Sequence, residues 1–404
     1  MHKIERLLQT LAPKGVEFRK LGEVCEILDN RRIPIAKNKR NPGIYPYYGA
    51  NGIQDYIDSY IFDGDFVLVG EDGSVINKDN TPVVNWASGK IWVNNHAHVL
   101  QTKNELKLKF LYFYLQTIDV SYCVAGTPPK INQENLKKIT IPIPPLEIQQ
   151  EIVKILDAFT ELNTELNTEL NARKKQYQYY QNMLLDFDGI YSNHKDAKMS
   201  AKTYPKRLKT LLQTLAPKGV EFRKLGEVLE YDQPNQYCVT NKEFDKSYPT
   251  PVLTAGKTFI LGYTNEKDNI YQASKNSPVI IFDDFTTATQ WVDFPFKVKS
   301  SAMKILLPKN PAINIRFIFF YMQTIPYNIS GEHTRQWISR YSQLEVPIPP
   351  LEVQQEIVKI LDQFSILTTD LLAGIPAEIK ARKKQYEYYR EKLLTFKPLK
   401  SLKP

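Results

Sequence analysis

The residues of this chain that could do chemistry are few: acids, two histidines and one lysine set. Glu105-Leu106-Lys107 has the carboxylate–x–lysine spacing of a metal-dependent nuclease. It leads into an apolar helical stretch, however, and the second half of the chain has Pro311-Ala312-Ile313 there; a lone motif fragment carries little weight. Glu71-Asp72 and Asp283-Asp284 each close a strand-like run, a setting that suits turn acids better than metal ligands. His96 and His98 would share a strand face, but two ligands do not make a zinc site. The chain has no glycine-rich loop of the S-adenosylmethionine-binding kind, no Asn/Asp-Pro-Pro-aromatic motif and no Walker loop. Its only Pro-Pro-Leu sequences open helices. The expectation is a chain without a catalytic centre, a metal or a cofactor.

The elements that would carry these residues occur twice. Leu7–Val24 (LLQTLAPKGVEFRKLGEV) returns unchanged at Leu211–Val228. FLYFYLQTI at Phe110 matches FIFFYMQTI at Phe317, and Pro142–Asp157 matches Pro347–Asp362 except at Ile148 and Val353. ARKKQYQYY at Ala172 pairs with ARKKQYEYY at Ala381. The order is kept at offsets of about two hundred residues, so the chain is a tandem duplication. Each copy opens with a mixed region in which runs such as FVLVG and PVIIF lie between Gly, Asn and Asp turn signals. Each then enters a long helix. Pro145 and Pro350 fit a first helical turn, followed by Glu147 and Glu352 at the positive end of the dipole.

Along the first helix, Ile148, Ile152, Ile155, Phe159, Leu162 and Leu166 are spaced 4, 3, 4, 3, 4, the period of a coiled-coil seam. Val353, Ile357, Ile360, Phe364, Leu367 and Leu371 repeat it. From Leu146 to Leu185 such a helix would be roughly 60 Å long at ~1.5 Å per residue. The other copy's helix, antiparallel, is the expected partner, against the alternative that each helix packs only on its own domain. The first helix carries the array TELNTELNTELN. The second has ILTTDLLAGIPAEIK, in which Gly374 and Pro376 should bend or break it. Between the copies, the stretch from Asp188-Gly189 onward is polar and reads as a linker.

Bulk properties bound the setting. The 404 residues are comfortable for two domains, and a net charge of +9 favours a polyanion, either nucleic acid or an acidic membrane surface. Cys25, Cys123 and Cys238 are odd in number and far apart, which argues against a disulfide scaffold and points to a reducing, cytoplasmic setting. The opening MHKIERLLQTLAPKG lacks the continuous apolar core of a signal peptide, and LKFLYFYLQTI and IRFIFFYMQTI are too short to span a bilayer.

The helices and entry segments are nearly unchanged between copies, whereas the globular regions have diverged around faint landmarks. These are YPYYGANGI against YPTPVLTAGKTFI, DFVLVGEDGS against PVIIFDDFTTA, and AGTPPKINQENLKKI against SGEHTRQWISRYSQL. Like surfaces suit two copies of one partner; unlike surfaces suit two targets. In this the whole chain resembles the specificity subunits of type I restriction–modification systems. The resemblance rests on two variable domains ending in turns such as Ala125-Gly126-Thr127 or Ser330-Gly331-Glu332. It rests also on the Pro-Pro-Leu-Glu helix starts with Gln149-Gln150 and Gln354-Gln355, the Lys/Tyr-rich helix ends, and the TELN array.

The resemblance implies an α+β fold with two similar globular α/β target-recognition domains, separated by two long antiparallel helices that form a coiled-coil spacer, with pseudo-two-fold internal repeat. The expected divisions are 1–145 and 207–350 for the domains, 146–187 and 351–397 for the spacer helices, and 188–206 for the linker. Each domain would read one half of a split, non-palindromic site in double-stranded DNA. The helices would set the gap and dock two modification (adenine methyltransferase) subunits, joined by restriction (translocase–nuclease) subunits. Because base edges are read by Arg, Lys, Asn and Gln, the candidate DNA contacts are Arg31, Arg32, Lys37, Lys39, Arg40, Lys130 and Asn132 in the first copy. In the second they are His333, Arg335, Gln336 and Arg340. Glu71-Asp72 and Asp283-Asp284 would be turn acids or DNA-facing groups. Arg173, Lys174, Lys175 and their repeats Arg382, Lys383 and Lys384 would form a solvated helix face, or touch the DNA backbone or the modification subunits. Two other function classes stand beside this one: a stand-alone DNA-modifying or DNA-cleaving enzyme, and a coiled-coil adaptor without sequence reading.

Overall fold

The run FVLVG has no polar alternation because its strand is covered on both faces. Phe66 and Leu68 belong to one apolar core and Val67 and Val69 to another, following the two-residue period of a strand. PVIIF behaves alike, with Ile280 and Phe282 on one side and Val279 and Ile281 on the other. The structure is a computed structural model that describes residues 2–73, 75–187, 204–241, 243–254, 258–326, 334–369 and 374–399. The candidate contact His333, the seam residue Leu371 and linker residues 188–203 lie outside the described residues. Two compact units form: Met1–Thr168 with Glu378–Pro404, and Glu169–Ala377.

In the first unit, α1 (His2–Leu11), β1 (Glu17–Lys20) and α2 (Leu21–Val24) lead into β2 (Cys25–Ile27), β3 (Pro42–Gly49), β4 (Gly52–Ile57) and β5 (Phe62–Gly70). Then come β6 (Val84–Val93), β7 (Ala97–Thr102), α3 (Leu108–Leu115), α4 (Gln133–Lys138) and β8 (Thr140–Ile143). The main sheet has the order β2-β7-β5-β6-β3-β4. Its neighbours are antiparallel except for β3 and β6. A separate antiparallel ribbon of β1 and β8 aligns Phe18 with Pro142 and hands the chain to α5 (Leu146–Leu185).

The second unit repeats the plan with α6 (Lys206–Leu215), β9 (Glu221–Lys224), α7 (Leu225–Val228), β10 (Leu229–Asp232), β11 (Thr250–Leu253) and β12 (Ile260–Thr264). It continues with β13 (Val279–Asp283), β14 (Thr289–Val292), β15 (Lys297–Val298), β16 (Met303–Pro308), α8 (Ile315–Met322) and β17 (Glu345–Ile348). Here the sheet order is β10-β16-β13-β14, with β12-β11-β15 separate. The place of the long β6 is shared between β14 and β15. The β9–β17 ribbon again aligns Phe222 with Pro347.

The second long helix is described as two pieces, α9 (Leu351–Thr369) and α10 (Ile375–Leu394), with Pro376 in the first turn of α10. This is where glycine and proline were expected to interrupt it. Pairing is antiparallel. In the first unit Leu156 shares a core with Leu393 and Leu394, while Phe159 meets Tyr389 at 5.5 Å and Tyr386 at 6.3 Å. In the second unit Phe364 stacks on Tyr180 at 5.0 Å, the corresponding pair.

The opening turns of the two helices serve a different end from a seam. Ile148, Ile152 and Leu156 are fully buried in the first unit's own core, as are Val353, Ile357 and Leu361 in the second. Ile155 and Ile360 are only partly buried beside them. A straight helix following its i, i+4 row leans onto the domain it leaves, and the ring contacts between helices come at Phe159 and Phe364. Leu162 and Leu166 are half-buried, whereas Leu367 is 44% exposed. No helix among the described residues is long and apolar enough to cross a membrane.

Candidate nucleic-acid interface

In the first unit an exposed finger projects from the sheet end. Ala125 and Lys130 close it with a reciprocal pair of 2.9 Å backbone hydrogen bonds. Residues 125–130 are exposed, and Gly126 takes φ +81, a conformation that side-chain-bearing residues rarely adopt. The finger is mounted on the end of β5: the Gly73 amide donates to the Pro129 carbonyl at 3.0 Å, and the Ile131 amide to the Glu71 carbonyl at 2.8 Å.

Below the finger lies a buried polar network. His98, fully buried on β7, faces Asp29 Oδ2 through Nδ1 at 2.6 Å and the Ile131 carbonyl through Nε2 at 2.8 Å. A carbonyl only accepts, so Nε2 carries a hydrogen. Arg32 Nη1 donates to Glu71 Oε2 at 2.6 Å and to the Ala97 carbonyl at 2.8 Å, while its Nη2 lies 3.4 Å from Asp29. Lys130 Nζ reaches Glu71 Oε1 at 3.0 Å. Burial pushes the Asp29 and Glu71 carboxyls up. The hydrogen bonds and charge from His98, Arg32 and the Val99 amide outweigh this for Asp29, and those from Arg32, Lys130 and His98 do so for Glu71. Both end below the usual carboxylate range. Asp29, Glu71 and His98 bring three metal-type donors within 4.8 Å of one another. In this network, however, Arg32 supplies the positive charge between the carboxylates.

The candidate contacts therefore separate by environment. Lys37 and Lys39 are exposed. Arg31 is exposed over the Phe62 ring at 4.8 Å. Arg40 is held over Tyr47 at 4.1 Å and paired with Asp55 at 3.3 Å. The Arg32 side chain is 11% exposed and committed to the network. Asn132 is exposed but caps α4, accepting from the Asn135 amide at 2.8 Å. His96, beside the finger, faces Asp72.

The second unit builds the same place from other residues. Lys304 sits opposite Phe282 in the sheet as His98 sits opposite Val69. Asp284 takes the position of Glu71, its carbonyl accepting from the Gln336 amide at 2.8 Å. Gln233, four residues into its copy from Leu229 as Asp29 is from Cys25, accepts a hydrogen bond from Lys304 Nζ. Asp284 Oδ1 accepts from the Gln336 and Trp337 amides at 3.1 and 2.8 Å. Its Oδ2 lies 3.7 Å from Lys304 Nζ, with no hydrogen-bond partner. Burial lowers the Lys304 pKa, against the raising pull of Asp284. Arg335 and Arg340 are exposed, whereas Gln336 is 1% exposed, with its amide nitrogen donating to the Thr334 carbonyl at 2.9 Å.

Sequence reasoning missed two further devices, each present in both units. Gln149, fully buried, accepts from the Lys107 amide at 2.8 Å and donates to the Glu105 and Pro144 carbonyls. Gln354 does the same with the Asn314 amide and the Ala312 and Pro349 carbonyls. These glutamines lock each helix start to its domain, and Glu105-Leu106-Lys107 is part of that lock. Lys109 lies over Trp86 at 4.4 Å and pairs with Asp157 at 3.4 Å. Arg316 lies over Trp291 at 4.5 Å and pairs with Asp362 at 2.8 Å. The glutamines and Asp157 and Asp362 lie in the nearly unchanged helix openings, and Trp86 and Trp291 are shared by otherwise diverged stretches. Arg173 and Arg382 make the same i, i+4 pairs, with Glu169 and Glu378, on solvated helix faces.

Comparison with known proteins agrees with this architecture. The chain is 34% identical over 414 aligned positions to a putative type I restriction enzyme specificity subunit of Haemophilus influenzae, covering 97% of this chain and 98% of that one. It is 53% identical over 188 residues to the specificity subunit of an Escherichia coli type I restriction enzyme, covering 44% and 45% of the two chains. Its fold resembles the crystal structure of a type I restriction–modification S subunit from M. genitalium, with a TM-score of 0.65 at 18% identity over 94% of this chain and 96% of that one. The family described as type I restriction modification DNA specificity domain matches residues 13–174 and 217–381. With that match over both copies, the chain belongs to the type I restriction–modification specificity family.

Proposed function

We propose that this chain is the non-catalytic specificity subunit of a type I restriction–modification complex, whose two domains each read one half of a bipartite, non-palindromic DNA site. The observation that carries this reading is the contrast between the copies. One strand order and one set of helix locks serve two domains whose buried polar networks differ. Two unlike surfaces fit two half-sites; the repeated helix faces fit two copies of one partner, here the adenine-methylating modification subunits, with restriction subunits joining them. The exposed Arg31, Lys37, Lys39, Lys130 and Asn132, with Arg335 and Arg340, are the proposed DNA contacts. Arg32 and Gln336 support the surface from within.

The spacer gives this reading a geometric test. Adding one TELN unit to α5 lengthens it by about 6 Å and turns one end by roughly 40°. At ~3.4 Å per base pair this corresponds to a gap about two base pairs wider. Methylation mapping of such an insertion variant, with its modification subunits, should show unchanged half-sites and a wider gap. Altered half-sites with an unaltered gap would refute the reading.

A further inference from the structure

We infer that Asp29, Arg32, Glu71 and His98 form a positioning brace for the first domain's reading finger, and that Gln233, Asp284 and Lys304 are its counterpart in the second. Each set holds its own domain's reader in place by a different buried network. This rests on the reading that each domain recognises one half-site.

Three features support the assignment. The brace touches the finger at its root: His98 holds the Ile131 carbonyl, Glu71 holds both the Ile131 amide and the Lys130 ammonium, and Arg32 ties Glu71 to the strand that carries His98. The homologous backbone bond, from Gln336 to Asp284, is retained in the second domain while every brace side chain is replaced. A site kept only for packing would favour apolar replacement, since buried ion pairs are seldom the most stable filling. Both domains instead keep a buried cation against a carboxylate. The positions of Arg32 and Lys130 also trade weight. Three residues after its Asp29 counterpart the second domain has Gln236, and directly before Gln336 it has Arg335, as Lys130 precedes Ile131 in the first. The first domain thus anchors an exposed lysine on Glu71, while the second presents an exposed arginine near Lys304, whose ammonium it repels. Lysine meets a base edge as a point charge and arginine as a fork, so the two braces present chemically different readers.

The test uses the full chain in complex with its modification subunits. Methylation rates are compared on duplexes bearing the intact site, a substituted first half or a substituted second half. His98→Gln should lower discrimination at the first half-site by about tenfold, the weight of one lost base contact, and leave the second half-site unchanged. Lys304→Gln should do the reverse. The triple variant Asp29→Gln, Arg32→Gln, His98→Lys installs the second domain's brace with the buried charge balanced, and should recover most of what His98→Gln loses. Thermal unfolding of each complex separates a folding defect from a reading defect. Full discrimination in folded His98→Gln, equal losses at both half-sites, or a triple variant no better than His98→Gln would each overturn the inference. If the unmodified complex itself methylates without regard to either half-site, the underlying reading of function fails instead.

Discussion

The two domains agree where each meets its helix and disagree where each carries its reading surface. At the helix start, Gln149 and Gln354 make the same three hydrogen bonds from positions of zero exposure, and Phe159 and Phe364 stack on corresponding tyrosines. At the end of the central strand, one domain has a carboxylate–histidine–carboxylate–arginine network and the other a glutamine–lysine–carboxylate set. Duplication followed by drift in only one of these layers separates what must stay common from what must differ.

That comparison can be broken by unequal responses. Asp284→Asn removes the carboxylate that faces buried Lys304 and leaves the neutral Gln233 beside it, a type of loss that costs roughly 3–5 kcal/mol. Glu71→Ala removes one of two carboxylates and leaves Asp29 facing Arg32 and His98, so its cost should be smaller, about 1–3 kcal/mol. Chemical denaturation of the full chain reads both. Similar costs for the two would mean that the networks are not organised differently. Gln149→Ala and Gln354→Ala should instead match each other, at about 2–3 kcal/mol each for orphaned buried groups. A gap between them as large as either value would break the claim that the helix locks are equivalent. Lys109→Ala and Arg316→Ala, each removing a cation held between a ring and a carboxylate, should cost about 1–2 kcal/mol.

The pH responses should run in the same sense but in different windows. Asp29 and Glu71 have folded pKa values below their unfolded ones. Their stabilisation is therefore present above the ordinary carboxylate range and is lost as pH falls through the lowered folded values. Lys304 has a folded pKa below its unfolded value. Between those two values the unfolded chain binds more protons, so the second unit gains stability as pH rises through that window. Hydrogen exchange at the strands carrying His98 and Lys304 would show the first weakening in acid and the second strengthening in alkali; alkaline strengthening at the first, or none at the second, would contradict the assignment.

How much of this the sequence disclosed follows from the range of each interaction. The duplication, the long first helix and the interruption near Gly374 are written in local residue types and periodicity, and they were legible; the expected first-turn proline, Pro145, stands one residue before the helix. The brace was not legible: positions 29, 71, 98 and 130 meet only after the sheet order is set, and the same residue types read locally as turn acids, loop cations and a strand histidine. Arg32 and Arg40 looked equivalent to Arg31 for that reason, although tertiary partners tie them down to different degrees. The shift of buried positions from Ile155 and Ile360 to Leu156 and Leu361 has the same origin. Heptad spacing finds the stripe, and only the packed domain decides which edge of the stripe it covers.

The central claim, that each domain independently reads its own half-site on a common frame, is tested most directly by exchanging Asp232–Ser342 for the corresponding segment of another family member. The modified genome of cells making this chimera with its modification subunits is then mapped. The account predicts one new half-site, with the other half and the gap retained. A change in both halves, or in neither, would contradict it.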